Sequence, residues 1–481
     1  MPRKSDVTSL GRYRFPVDVL ASSARLRRVM LSRLFKSNVP FRPASLPFHY
    51  GWVVAIAGAT GIVASIPGQT IGVNVFNDEL IAALSLTRSQ VALAYFLGTT
   101  VSGIMLLWAG RINDVIGSRR LFVAASIALG LAMGYMSIVD WLPRALASLL
   151  NRERPQAWTL IASLGFGFWL LRFSGQGFVT MASRNMVAKW WRYQRGKVLP
   201  ISGIGVSVCF SLSPLVFYDL IQATDWRTAW RILALVSGLG IALYGWFVFR
   251  DNPEECGLSV DAGIKPKAKQ RDDPEFTIVR EFTRGEAVRT FSFWVFCGIF
   301  ALESTYVTGY VFHVLDLAGE IGLSEDAILK LFLPGAICGG FLSIAIGWLS
   351  DSFRLKYFAA FMVCGCGLSS LALFTRIDGL MIPMMIVGMG ISSGSFGPLS
   401  GAFIARYYGL NHIGAISGVM MSTMVVASAV GPLLFSLIRD FAGAYRPAFG
   451  LTFSFAVFLF IASFFADNPQ RKAKAKMEGL G

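Results

Sequence analysis

Charge is scarce in this chain, and so are the side chains that most often do chemistry. Only 15% of the 481 residues are charged, where a soluble domain carries roughly 25%. Three histidines and six cysteines are present. The cysteines, at 209, 256, 297, 338, 364 and 366, have no zinc-ligand spacing with a histidine. Cys364-Gly-Cys366 is too close and too apolar for a metal or redox pair. No metal site, cofactor or disulfide framework is expected, and packing is the expected role of all six. No nucleophile–base set lies at one depth, which argues against a membrane enzyme. The lack of a Gly-x-x-x-x-Gly-Lys-Ser/Thr loop argues against an ATP-driven pump. No short apolar region precedes the first long one, so no cleavable secretory signal is expected.

What the chain has instead is length in apolar runs. Hydrophobic residues make up 54%, gathered into stretches near the 20 or so residues that cross a bilayer. Twelve candidate spans fall near 50–74, 91–109, 120–139, 157–187, 197–221, 229–249, 291–314, 328–349, 358–375, 380–405, 412–437 and 446–466. Each is expected to be helical, because oil offers the backbone no water to bond. The formal charge of +16 invites a nucleic-acid reading, but the lysines and arginines fall mostly on alternate loops and both ends. That bias fits the positive-inside rule. Both termini are therefore expected in the cytoplasm, in the plasma or bacterial inner membrane, with the lipid bilayer and not nucleic acid as partner.

The sequence also repeats its own order. Gly110-Arg-Ile-Asn-Asp114 matches Gly347-Trp-Leu-Ser-Asp351, and Trp52-Val-Val matches Trp294-Val. Ala188-Lys-Trp-Trp191 before Ile201-Ser-Gly203 matches Ala405-Arg-Tyr-Tyr408 before Ile416-Ser-Gly418. Trp226-Arg-Thr-Ala-Trp230 matches Tyr445-Arg-Pro-Ala-Phe449. A parallel repeat of membrane bundles predicts a transporter with its site between the halves. The expected organisation is a basic segment 1–48 with an amphipathic helix over Val17 to Lys36, a six-helix bundle 49–249, a flexible cytoplasmic linker 250–289, a second six-helix bundle 290–466 and a tail 467–481. An organelle transit peptide is the rival reading of the basic segment.

This pattern resembles the major facilitator superfamily over roughly residues 50–466. The resemblance rests on twelve spans, the mid-chain loop and the loop after span 2. There Gly110, Asp114, Gly117, Arg119 and the adjacent Arg120 fit the family's Gly-x-x-x-Asp-basic-x-Gly-x-basic motif, with Val115 at a usually basic place. Gly347 and Asp351 form a degenerate second copy. Gly110 is expected to end a helix in a tight turn. Asp114 is expected to receive amides at a helix N-terminus, while Arg119 and Arg120 stay at the headgroups. The resemblance implies that these residues gate the two halves. Leu171-Arg172-Phe-Ser-Gly175-Gln176-Gly177 is similar to the family's fourth-helix motif, with the glutamine displaced by one. Tyr50-Gly-Trp-Val-Val and Lys189-Trp-Trp-Arg192 before Arg195-Gly196 look nearest to the monocarboxylate and oxalate–formate transporters. The implied fold is all-α, with two pseudo-symmetric six-helix bundles. The implied activity is secondary active transport of a small solute by a monomer.

Two ionisable groups stand out at mid-depth, Arg172 in span 4 and Glu303 in span 7. A charge there costs at least ~2.5–3.5 kcal/mol unless it faces a polar cavity. In the resembled fold, spans 1, 4, 7 and 10 line that cavity. Arg172 is expected to attract an anion, most plausibly a carboxylate, through its planar fork. Glu303 would be the group that takes up and releases a proton. The rival reading of the two is a structural ion pair. Tyr306 and Tyr310 share a helical face with Glu303. Span 1 carries Pro67, Gln69, Thr70 and Asn74, a polar and kinked outer half, and span 10 carries Ser392 and Ser393; these are further candidates for the cavity wall, although the small residues of span 10 also suit close packing. Asp219, His313 and Asp316, at span ends, are expected to be simply solvated. Arg227 and Arg446 occupy matched positions and are expected to have helix-end roles. Pro214 and Pro432 are expected to interrupt spans 5 and 11. Drug efflux by proton antiport and a non-transporting sensor are the alternative functions.

Overall fold

The computed structural model describes residues 34–191, 195–263, 275, 278–350, 352–409, 411–477 and 479, with backbone alone at 107–111, 114, 195–197, 199–202, 263, 414 and 476. The amphipathic helix expected at 17–36 therefore lies almost wholly outside the described residues. Among these residues there is helix and turn but no strand. Eleven helices are long and apolar enough to cross a membrane. They are α2 (Arg88–Ile116), α3 (Ser118–Met136), α4 (Ala157–Trp190), α5 (Arg195–Ala223), α6 (Trp226–Val248), α7 (Phe291–Phe312), α8 (Phe332–Leu349), α9 (Leu355–Thr375), α10 (Met381–Tyr408), α11 (Ile413–Ala442) and α12 (Arg446–Phe464). The first span is broken. Its helix α1 (Gly51–Ala64) gives way to the short turns Ile66–Gly68, Thr70–Val73 and Asn74–Phe76 before Asn77–Leu84.

Close approach of small residues builds each bundle, as expected where water supplies no drive between helices. A β-carbon on Gly130 of α3 would lie 2.5 Å from Gly238 Cα of α6, so only glycine allows that crossing. Within the first half α2 packs on α4, and α1 on α4 and α5; within the second, α9 packs on α10 and α12, and α7 on α11. Between halves α2 packs on α11 and α5 on α8. The repeat turns α2 into α8 and α5 into α11, so it exchanges these two contacts, as a parallel two-fold requires.

The loop after α2 differs from expectation. α2 runs as helix through Gly110 and Asp114 to Ile116. The turn is instead Gly117, with φ +88°, where a β-carbon would lie 2.9 Å from Asp251 Oδ2. A lone glycine costs a helix only about 1 kcal/mol, so Gly110 does not stop one. The amide of Arg119 at the start of α3 is bonded by Asp251 Oδ1 at 2.9 Å. Arg119 itself is not at the headgroups: it is 1% exposed. Its guanidinium donates to the carbonyls of Lys36 (3.1 Å), Val39 (2.8 Å) and Trp246 (3.0 Å), tying the N-terminal segment to the end of α6. Arg120 is exposed beside the Phe35 ring. The side chain of Asp114 and all of Asp351 lie outside the described residues, and Gly347 sits inside α8.

Pro214 and Pro432 also differ from expectation, since α5 and α11 continue through both. The carbonyl of Pro432 accepts from His313 Nε2 or its tautomer at 2.8 Å. The linker is docked at its ends. Glu254–Cys256 and Val260–Gly263 form short turns. Beyond the undescribed stretch, Val279 N and Arg280 N donate to Gln470 Oε1 (3.0 and 2.9 Å), and Phe282 N to the Tyr408 carbonyl at 3.0 Å.

Candidate functional site

The break in span 1 makes a polar knot. Pro67 cannot donate a backbone hydrogen bond, and Gly68 lets the chain press against α4, where a β-carbon would lie 2.4 Å from the Leu171 carbonyl. The turns are sewn to α4 by side chains: Thr180 Oγ1 donates to Ser65 Oγ at 2.9 Å, and Gln69 Nε2 donates to Thr180 Oγ1 at 3.5 Å and, within span 1, to Ser65 Oγ at 3.0 Å. Arg172 begins a π-helical stretch, Arg172–Val179, inside α4. Such bulges leave carbonyls and side chains out of the ordinary register and recur at functional sites. Arg172 is 2% exposed. Its Nη1 donates to Thr70 Oγ1 at 3.3 Å, and Thr70 shares a 2.6 Å hydrogen bond with the Tyr95 hydroxyl. The guanidinium lies 5.4 Å from the Tyr95 ring centroid. Its Nε has no partner. Asn74 is buried nearby in sequence, with Nδ2 unbonded and Oδ1 taken by the Val75 amide.

Glu303 sits in the other half, 5% exposed, against Ser392 of α10 and Cys366 of α9. Its Oε2 has no hydrogen-bond partner, and neither has the Tyr306 hydroxyl one turn away. Tyr310 stacks on Tyr306 with centroids 6.2 Å apart and points its hydroxyl at Met385 Sδ, 3.9 Å away. Ser392 thus joins Glu303, whereas Ser393 turns to α8, where it would lie 2.7 Å from a β-carbon on Gly339. Among the described residues no ion pair joins Arg172 to Glu303, so the two are not a structural pair. Each belongs to its own bundle. Buried polar atoms without partners are rare and call for an explanation in bound water or ligand.

On the face away from the termini the halves are locked together. Arg88 Nη2 lies 2.7 Å from Asp78 in its own half and 3.2 Å from Asp316 in the other. Asp316 also takes Arg439 Nε at 2.7 Å and the Tyr445 hydroxyl at 2.8 Å. Ser89 bonds Asp440 across the same seam. Asn77 Nδ2 donates to the Phe312 carbonyl at 2.7 Å, and Tyr95 meets the Phe312 ring with centroids 4.8 Å apart. Asp316 and His313 are therefore not simply solvated: the first is a hub and the second is 1% exposed. Asp219 is exposed as expected. Toward the terminal face the seam loosens. β-Carbons on Gly203, Gly397, Gly401 and Gly418 would meet no atom within 4 Å. Arg184, near the terminal end of α4, is exposed there. The sequence hides it, because an arginine so close to Lys189 and Arg192 reads as part of a basic flank. Tyr95 carries no sequence signal either, and Cys366 reads as packing; only the fold brings Thr70 and Tyr95 to Arg172 and Cys366 to Glu303.

Comparison with known proteins agrees with this architecture. Two solved structures of a bacterial homolog of the human lysosomal transporter Spinster superpose on the chain. The inward-facing unoccupied form gives a TM-score of 0.57 at 14% identity, over 89% of this chain and 98% of that one. The inward-facing occupied form gives 0.58 at 13% identity, over 86% and 96%. At such identity the likeness is one of fold. An MFS-type transporter from Gibberella moniliformis is 26% identical over 277 residues, 56% of this chain and 61% of that protein, so the match spans less than two thirds of the relative. The sequence pattern of the Major Facilitator Superfamily matches residues 51–393 and again 295–480, the second match overlying the second bundle. With twelve helical segments in two related bundles and this match along nearly the whole spanning region, the chain belongs to the Major Facilitator Superfamily, a family of transporters rather than enzymes.

Proposed function

We propose that this transporter carries a small organic anion, a carboxylate, coupled to a proton, by rocking of the halves 49–249 and 290–466 about their seam. The observation that carries the reading is the pair of unmet charges. Among the described residues, Arg172 is buried with no counter-ion and an unbonded Nε, while Glu303 in the facing half is buried with an unbonded oxygen and no cation beside it. A buried guanidinium with an unbonded Nε suits a carboxylate, and a buried carboxyl with an unbonded oxygen suits a proton. The resemblance to monocarboxylate and oxalate–formate transporters favours the same solute class. With the termini in the cytoplasm, the locked face is outside, which suits an inward-facing state of the kind solved for the Spinster homolog. The loop at Gly117, Arg119 and Arg120, with Asp114 beside it, would close the inner side in the opposite state, and the monomer would suffice for transport.

Purified protein in liposomes tests this directly. Uptake of a radiolabelled carboxylate should rise with an imposed pH gradient. Arg172→Ala should abolish uptake. Glu303→Gln should abolish the response to the gradient while anion exchange persists. Carriage of a cation or sugar with both variants at wild-type rates would overturn the proposal.

A further inference from the structure

Arg184 is an unclaimed cation on the wall of the seam. Its position on α4 can be read from its neighbours. Ser183 and Val187 face α1, where β-carbons on Gly61 and Gly58 would lie 2.2 Å from Ser183 Oγ and from Val187 Cγ2. Within the π-helical stretch Gly177 faces Leu106 of α2, and Gly175 faces Gly68 of span 1 and Leu129 of α3. Along the regular helix Thr180–Trp190, at about 100° per residue, Arg184 stands about 80° from the α1 face and opposite the fully buried Ala182 and Met186. Span 1 and α2, which border α4, both reach the second half, at α7 and α11. Its side chain is exposed. An exposed arginine on a helix bordered by two that reach the second half is placed at the opening between the halves. Among the described residues, no hydrogen bond or ion pair reaches it.

The repeat supplies a second observation. Aligning Ala188 with Ala405 sets Arg184 opposite Gly401 of α10, which is also exposed and has no atom within 4 Å of a β-carbon. One wall therefore bears a charge and the matched wall bears empty space. Arg172 lies twelve residues earlier on the same helix, roughly 18 Å away at 1.5 Å per residue. A small carboxylate cannot touch both at once.

We propose that Arg184 is a first binding station for the carboxylate group of the solute, entered from the terminal face, with Gly401 leaving room for the body of the solute. The anion then passes to Arg172. This rests on the anion reading above. A free guanidinium in a cleft offers two parallel donors to a carboxylate and loses nothing by releasing an earlier partner. An anionic lipid headgroup presents similar oxygens, and the experiment separates the two sources.

Wild type, Arg184→Gln and Arg184→Lys are reconstituted in zwitterionic and in anionic vesicles, and initial rates are measured for radiolabelled lactate, oxalate and succinate offered to the terminal face. Size-exclusion profile and Tm check that each variant is folded. In both lipids, Arg184→Gln should raise KM about tenfold or more, the loss of one charged hydrogen-bonded contact, with kcat little changed, and Arg184→Lys should recover part of it. An unchanged KM, or a fall in kcat alone, overturns the station. A KM difference confined to anionic vesicles makes Arg184 a lipid contact and overturns it too. Wild-type protein that takes up none of the three anions defeats the anion reading itself, and the station with it; wild-type uptake with an unaltered Arg184→Gln KM defeats the station alone.

Discussion

Asp140 shows how much a single residue's partner matters. It follows α3, and both its oxygens are held by Arg227 of α6, Nη1 at 2.9 Å and Nη2 at 2.8 Å, while Arg227 also donates to the Ser137 carbonyl at 2.7 Å. Burial by itself raises the carboxyl's pKa; the Arg227 fork outweighs it and holds Asp140 below its ordinary value. A carboxyl depressed on folding adds stability that is complete above its unfolded pKa, about 4, and is lost as pH falls through the folded value. The Tm of detergent-solubilised wild type should therefore drop more steeply below about pH 4 than that of Asp140→Asn. At neutral pH Asp140→Asn should cost about 1–3 kcal/mol, because Arg227 keeps its desolvation and loses its charged acceptor. Denaturant or thermal melts of the two proteins measure both. Among the described residues the repeat mate Arg446 hydrogen-bonds a carbonyl, that of Phe374 at 2.7 Å, and no carboxylate. Matched sequence positions thus share a helix-end role but not its charge, and this difference is invisible without the fold.

At the scale of elements, the lock around Asp316 holds two helix ends of one half to one of the other. Its ion pairs are partly exposed, so each is worth about 1 kcal/mol or less. Several in one place still bias an equilibrium between two packings of the same halves. Asp316→Asn keeps the size and removes the charge shared by Arg88, Arg439 and Tyr445. It should increase the fraction of molecules open on the locked face about fivefold, read as a lengthened distance between spin labels at Ala82 and Gly319. No change in that distribution would mean that packing at Asn77 and Phe312 alone keeps the face shut. The helices themselves were legible because an apolar run in oil has one solution. The break in span 1 was legible in outline from Pro67, but the lock was not. Arg88, Asp316 and Arg439 are far apart in sequence, and each by itself looks like an ordinary charged residue at a membrane surface. The expected turn at Gly110 failed for a related reason: glycine permits a turn, and only the capping partner, Asp251, decides which glycine makes it.

For the whole molecule, the proposed rocking about the α2–α11 and α5–α8 contacts, which the repeat exchanges, closes one face as it opens the other. Val115 and Trp348 end α2 and α8 on the terminal face and are 85% and 82% exposed, so labels there disturb nothing. Their separation should shorten under every condition that lengthens Ala82–Gly319. Movement of both pairs in the same sense would contradict rocking. The repeat made this architecture readable from the chain alone. Arg172 and Glu303 were readable because a mid-span charge is rare. That no ion pair joins the two among the described residues, and the exposure of Arg184, belong to tertiary packing and have no trace in spacing.

The π-helical stretch Arg172–Val179 has one more consequence. It gives α4 a surplus residue between its two arginines. Deleting one residue within 173–178 should take up that surplus, so that the helix winds evenly while Arg184 keeps nearly its present aim. The same deletion within 180–183, where the helix is already regular, would swing Arg184 by about 100° toward a neighbouring helix and uncouple the two charges, even though no charged residue had been touched.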